Sequence, residues 1–259
     1  MSNRINVMWF VPLPLVMLTE QVPGATVIKA ARNPSSDAQF EALVAGEVDA
    51  VVTAMDNVIG WNRRPGPQDF RVVAQVERTT PLTLVGAPDR KSVADLRGAN
   101  LLVDAVDNGF VIALRAMLHE AGVDEIGYRL TPAGGVTERY EALLAGRGDA
   151  TLLGQPFATQ AAEAGLIQIA SVQQAYPAFP GQGIVMRMGH PARERVGEWL
   201  CELERARRQV QDPDSLRPTD EGVAVLIAHR RLLGLPGGED THSDIVDTSL
   251  LETFLRKNQ

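Results

Sequence analysis

Three carboxylates, Asp56, Asp104 and Asp107, each stand at or just past the end of a short apolar run, where a buried strand hands over to a loop. A carboxylate there can hold an amine or, if burial raises its pKa, take a proton. Two other stretches prefer the opposite charge. "VDNGFV" and "GGVTER" each read as a helix start, whose unpaired backbone N–H groups attract carboxylate, sulfonate or phosphate. Trp9, Phe10 and Phe157 can supply stacking faces. An anion alone suits the helix starts, an amine alone suits the aspartates, and a zwitterion or heteroaromatic acid satisfies both.

The candidate ligand-binding residues group by the run they follow. They are Trp9, Phe10 and Pro12 after "INVMWF", and Met55, Asp56 and Asn57 after "VDAVVTA". Asp107, Asn108 and Gly109 follow "NLLVDA"; Gly134, Gly135, Val136 and Thr137 follow "LTPA"; Gln155 and Phe157 follow "DATLLG". Each has a plainer reading. Asn108, Thr137 and Asp56 can be helix caps, Gly134-Gly135 a turn, and Trp9 ordinary core.

Other chemistry has little support. Cys201 lies inside "EWLCELER", beside Trp199 and Leu200, which reads as burial in a helix rather than as an accessible thiolate. His119, His190, His229 and His242 show no metal-ligand spacing, and no metal or cofactor is expected. No phosphate-binding loop, dinucleotide fingerprint or nucleophile elbow is present. A base role for Asp56 or Asp107 is the remaining enzymatic option.

The elements that must position these residues follow from periodicity. "INVMWF", "TVIKAA", "VDAVVTA" and "FRVVAQV" read as strands, with a helix over "SSDAQFEALVA" stopped by Gly46. "NLLVDA" then restarts the programme, with a helix over "GFVIALRAMLHE", a strand in "YRLTP", a further helix and the strand "DATLLG". Strand–helix alternation means a mainly parallel sheet. The restart is literal: "FEALVAGEVDA" (40–50) and "YEALLAGRGDA" (140–150) share seven identities, which implies a duplicated α/β unit. Asp49 and Asp149, inside that repeat, read as structural turn residues. After Ala170 the pattern changes to one strand, "GIVMRM", and long helices, one burying Val196, Trp199, Leu200 and Leu203.

Bulk composition narrows the partners. The 259 residues are 45% apolar and 22% charged, with a net charge of −7, which argues against nucleic acid or an anionic membrane. No apolar run approaches the roughly 18 residues of a membrane-spanning helix. "VMWFVPLPLVML" is interrupted by Pro12 and Pro14 and reads as no export signal.

"ADLRGANLLVDAVDNGFVIALRAMLHEAGV", "GGVTERYEALLAGRGDATLLGQPF" and "EALVAGEVDAVVTAMDNV" resemble the substrate-binding proteins of nitrate/sulfonate/taurine-type ABC transporters. That group is similar to the pyrimidine-precursor-synthase superfamily. The resemblance implies the type II periplasmic-binding-protein fold: two α/β lobes joined by two crossover strands that act as a hinge. Residues 1–85 plus 184–259 would form lobe one and 86–183 lobe two, with the chain finishing on lobe one. It further implies capture of a small anionic or zwitterionic metabolite and delivery to an ABC permease. Such a protein is periplasmic if a leader precedes the chain, and cytoplasmic otherwise. The alternative is a cytoplasmic lyase or decarboxylase on the same scaffold.

Overall fold

The computed structural model describes residues 4–10, 13–19 and 26–257. First come β1 (Arg4–Trp9), α1 (Pro14–Thr19), β2 (Val27–Arg32), α2 (Ser36–Ala45), β3 (Ala50–Ala54), α3 (Asn57–Trp61) and β4 (Phe70–Gln75). The middle holds β5 (Thr83–Gly86), β6 (Asn100–Val103), α4 (Gly109–Glu120), β7 (Arg129–Pro132), α5 (Val136–Leu144) and β8 (Ala150–Leu153). It ends with α6 (Phe157–Glu163), β9 (Ile167–Ser171) and α7 (Val172–Ala175). Last are β10 (Gln182–Arg187), α8 (Arg193–Gln209), α9 (Asp220–Leu232), α10 (His242–Ile245) and α11 (Ser249–Lys257).

These strands build two sheets of five, ordered β2-β1-β3-β10-β4 and β7-β6-β8-β5-β9. In each, three strands pair in parallel and the fourth runs against its neighbours. That fourth strand, β10 or β5, is the one the chain enters directly after crossing from the other sheet. Val85 lies in the second sheet and Ile184 in the first, so the crossings themselves are residues 76–82 and 172–181. β9 is an edge strand that the sequence reading passed over. Its short "IQIAS" is half-exposed and lacks a clean alternation.

The repeated eleven residues are explained by two constraints that recur in both halves. Gly46 and Gly146 end their helices at φ of +72° and +68°, a left-handed conformation that favours glycine. Asp49 accepts the Asn6 N–H at 2.8 Å, and Asp149 accepts the Asn100 N–H at 2.6 Å. Each aspartate's own N–H returns to the same asparagine's carbonyl at 2.8 Å. The aspartate therefore ties the start of β3 or β8 to the start of β1 or β6, which sets the register of the central parallel pair.

Each sheet has one face closed locally. α8 lays Val196, Trp199, Leu200 and Leu203, all fully buried, on the first sheet. Leu143 and Ala161 cover the second, against Leu102 and Leu153. The remaining apolar cluster runs through both sheets, from Val51 and Phe70 to Leu84 and Leu101, by way of Leu114 on α4 and Leu226 on α9. The closing elements mostly return to the first sheet, as α10 and α11 do by packing on β4. α9 packs against α4 of the second unit and, through Arg230, holds Asp56 of the first.

At that junction His229 is 4% exposed, its ring 4.2 Å from Tyr176 and 5.8 Å from Phe179 between centroids. Neither ring nitrogen has a hydrogen-bond partner. Burial holds its pKa below the ordinary 6.5, with Asp56 and Glu120 pulling weakly the other way. The unfolded chain therefore takes up this proton at a higher pH than the folded one. Stability from the neutral imidazole is complete above 6.5 and is lost as pH falls toward the folded value. Melting temperature should fall between about pH 7.5 and about pH 5, and His229→Phe should flatten that slope. An equal slope in the variant would assign the pH response elsewhere.

Candidate ligand-binding site

The carboxyl ends of the parallel strands in the two sheets face each other, and the loops that leave them meet. Asn57, after β3, accepts the Gly109 N–H at 2.8 Å and donates to Thr53 Oγ1 at 2.7 Å. Asp104, after β6, accepts the Ser36 N–H at the start of α2 at 3.3 Å. At a third point, a side chain at Gly135 would stand 3.8 Å from both Phe10 Cδ1 and Asn33 O. Between the two lobes lies a cavity of 440 Å³, within the range that holds small metabolites.

Of the residues singled out from sequence, Phe10, Asn108, Val136, Gln155 and Phe157 line this cavity. Asn108 is also a cap, its Oδ1 accepting the Phe110 N–H at 2.8 Å and its Nδ2 donating to Asp104 at 3.1 Å. Gly109, Gly134, Gly135 and Thr137 stand at the adjoining helix starts without lining it. Gly135, rather than Thr137, is the residue preceding the first turn of α5.

The others belong elsewhere. Trp9 is 5% exposed and packs in the core beneath α8. Met55 is 1% exposed and is core as well. Asp56 occupies the residue before α3 but makes no side-chain cap. Its carboxylate instead grips Arg230, with Nε to Oδ1 at 2.8 Å and Nη2 to Oδ2 at 2.5 Å. Asp107 is exposed to solvent and outside the cavity lining. Neither carboxylate is placed to act as a base on something held in the cavity. Pro12 lies outside the described residues. Cys201 is 8% exposed, inside α8, as the sequence implied.

Sequence reasoning missed the cavity's cation. Arg139 on α5 donates through Nη1 to Thr151 Oγ1 at 3.0 Å and to the Leu152 carbonyl at 2.6 Å. Its Nε is buried with no partner, and no carboxylate of the described residues lies within 4.0 Å of it. Burial pulls this guanidinium below its usual pKa, opposed by the charges of Asp104 and Glu138. Burial likewise raises the Asp104 carboxyl, with the Arg139 charge as the largest counterweight. The repeat carried a signal for Arg139. One hundred positions earlier stands Gln39, fully buried and spent on the carbonyls of Met8 and Val52 at 3.3 and 3.0 Å. The duplicated position keeps its bond to the next strand and has gained a charge.

Among the described residues no group of three or more His, Cys, Asp or Glu is arranged to hold a metal ion. No described helix is long and apolar enough to cross a membrane.

Two like-ordered sheets, two crossings and a cavity between facing strand ends define a two-lobed solute-binding protein. Solved structures share this architecture. A ligand-binding component of an ABC-type import system from Staphylococcus aureus, with zinc bound, superposes at a TM-score of 0.77 with 10% identity, over 96% of this chain and 98% of that one. The alkanesulfonate-binding protein of Xanthomonas axonopodis pv. citri bound to MOPS gives 0.65 and 16%, over 98% and 91%. The periplasmic nitrate-binding protein of Synechocystis PCC 6803 gives 0.67 and 12%, over 95% and 69%. No curated protein matches at the level of sequence. A family profile matches residues 1–226, described as the periplasmic substrate-binding protein of phosphonate ABC transporters, and the chain belongs to that family. It is thus a substrate-binding component of an ABC-type uptake system, in a family of periplasmic binding proteins rather than enzymes.

Proposed function

We propose that the chain captures a small organic anion or zwitterion between its lobes and delivers it to a membrane permease from the periplasmic side. The carrying observation is the 440 Å³ interlobe cavity that holds an arginine without a carboxylate partner. Phe10 comes from one lobe; Arg139, Asn108 and Phe157 come from the other. A ligand touching both favours the closed arrangement, which is population shift with the ligand as the bias. Strand membership supports dividing the lobes within residues 76–82 and 172–181, a few positions from the Val85 and Ile184 read from sequence. Those two connectors are where closure would bend the chain.

The test is thermal melting against a collection of small acids, amino acids and phosphonates. A receptor gains about 2.7 kcal/mol from a compound present at a hundred times its Kd. For a protein of this size that is roughly five to ten degrees. Such a rise is expected with a narrow chemical set, and the compound should be recovered unchanged. Conversion of the compound would overturn the assignment.

A further inference from the structure

Among the described residues, the charges that face the cavity are one guanidinium, Arg139, and two carboxylates, Asp104 and Glu77. Glu77 already accepts from Thr80 Oγ1 and from Gln182 Nε2 at 3.3 Å. Two nearby helix starts, those of α4 and α2, are spent on the protein itself. At α4, Asn57 takes the Gly109 N–H and Asn108 takes the Phe110 N–H, both at 2.8 Å. At α2, Asp104 takes the Ser36 N–H and Ser35 Oγ takes the Ala38 N–H at 3.1 Å. At α5, the Glu138 carboxylate folds back so far that a side chain at Gly135 would stand 3.0 Å from its Oε2. A tetrahedral dianion favours a net positive surround, and the described residues of this cavity set one cation against two carboxylates. The walls are largely apolar, formed by Leu13, Leu82, Phe110, Val111, Leu152 and Phe157. At the liquid share of about 30 Å³ per water-sized unit, there is room for roughly fifteen of them.

We infer that the ligand is a zwitterion with an apolar body, an amine-bearing monocarboxylic acid of the aromatic or branched-chain amino-acid kind, and not a phosphonate. This rests on the receptor reading above and narrows it. The carboxylate pairs with the Arg139 guanidinium, whose planar fork matches two carboxylate oxygens. The ammonium faces Asp104, which lines the cavity, and the side chain lies among the phenylalanines and leucines. A phosphonate in the same place would bring a second negative charge toward Asp104 and Glu77 with no added cation to meet it.

The experiment is calorimetric titration of the whole chain with L-phenylalanine and L-leucine, beside three compounds that each change one charge. These are 3-phenylpropanoate, without the amine; 2-phenylethylamine, without the acid; and 1-amino-2-phenylethylphosphonate, with the acid replaced. At least one amino acid is expected to bind, and at least tenfold more tightly than each altered compound. Arg139→Gln, the residue of the duplicated position, should weaken the amino acid at least tenfold. Binding by neither amino acid overturns the inference, as does equal or tighter binding of the phosphonate or the propanoate. If a phosphonate or propanoate binds and Arg139→Gln abolishes it, the ligand class falls and the interlobe receptor stands. If amino-acid binding is indifferent to both Arg139→Gln and Phe10→Ala, the site itself is elsewhere and the receptor reading falls with it.

Discussion

Asp56→Asn should lower the melting temperature by roughly ten degrees or more, corresponding to about 3–5 kcal/mol. Asp56 and Arg230 have side chains only 1% and 5% exposed, and they meet through two parallel hydrogen bonds. The third arm of the guanidinium donates to the Pro236 carbonyl at 3.0 Å, so the arginine has no other anion to turn to. Asparagine keeps the shape but sets an N–H₂ donor against a guanidinium that is all donors. The loss is therefore larger than that of one hydrogen bond, because a buried charge remains without a counterion. Arg230→Met alone should be damaging for the mirror-image reason, while the double variant Asp56→Asn/Arg230→Met should regain much of the loss. Asp107→Asn, at an exposed position, should stay within about 0.5 kcal/mol of the parent. Thermal melting of the four proteins decides it. A fully stable Asp56→Asn protein that has lost its ligand would restore the ligand contact that sequence position alone suggests.

That comparison marks where sequence is informative and where it stops. Asp56 and Asp104 both stand within two residues of a strand's end, β3 and β6, and nothing local separates them. What separates them is Arg230, 174 residues onward, which claims Asp56 and leaves Asp104 for the cavity. Local signals were sufficient where one constraint acts within a few residues. The asparagine cap at Asn108, the apolar stripe of α8 and the glycine stop at Gly46 all belong to this kind. The repeat was legible for the same reason, since each copy solves the same problem of tying two parallel strands at their starts. The cavity was half legible. Strand ends indicated Phe10, Asn108 and Phe157, which line the cavity, because an α/β sheet opens its loops at that edge. They also indicated Trp9 and Met55, because a residue one place nearer the strand points into the core instead. Arg139 escaped because it sits one turn inside a helix, and its importance shows only when the two halves are laid over each other.

Gly109→Ala tests whether the lobes must touch this closely to hold a ligand. Gly109 opens α4 in the second lobe, and its φ is not in the left-handed region, so alanine is acceptable to the helix itself. The obstacle is the other lobe. A side chain carbon there would stand 2.7 Å from Asp56 Cβ and 3.1 Å from Ala54 Cβ, both held by buried backbone. It would also spread the Asn57 Oδ1 to Gly109 N–H bond that joins the two rims. Within a lobe, such an overlap costs about 1–3 kcal/mol, since nothing can move away. Between lobes it is relieved by opening, so the cost falls on the closed state alone. The variant should therefore melt within a few degrees of the parent when no ligand is present. Its affinity for the compound that stabilises the parent should drop by roughly ten- to a hundredfold, the same energy read as binding. Small-angle scattering should give it a larger radius of gyration than the parent. Unchanged affinity together with unchanged dimensions would mean that the loop around Gly109 yields locally, and that closure does not depend on this contact. A large loss of stability without ligand would mean that the two lobes are parts of a single cooperative core joined through α4 and α9, rather than bodies that part and close.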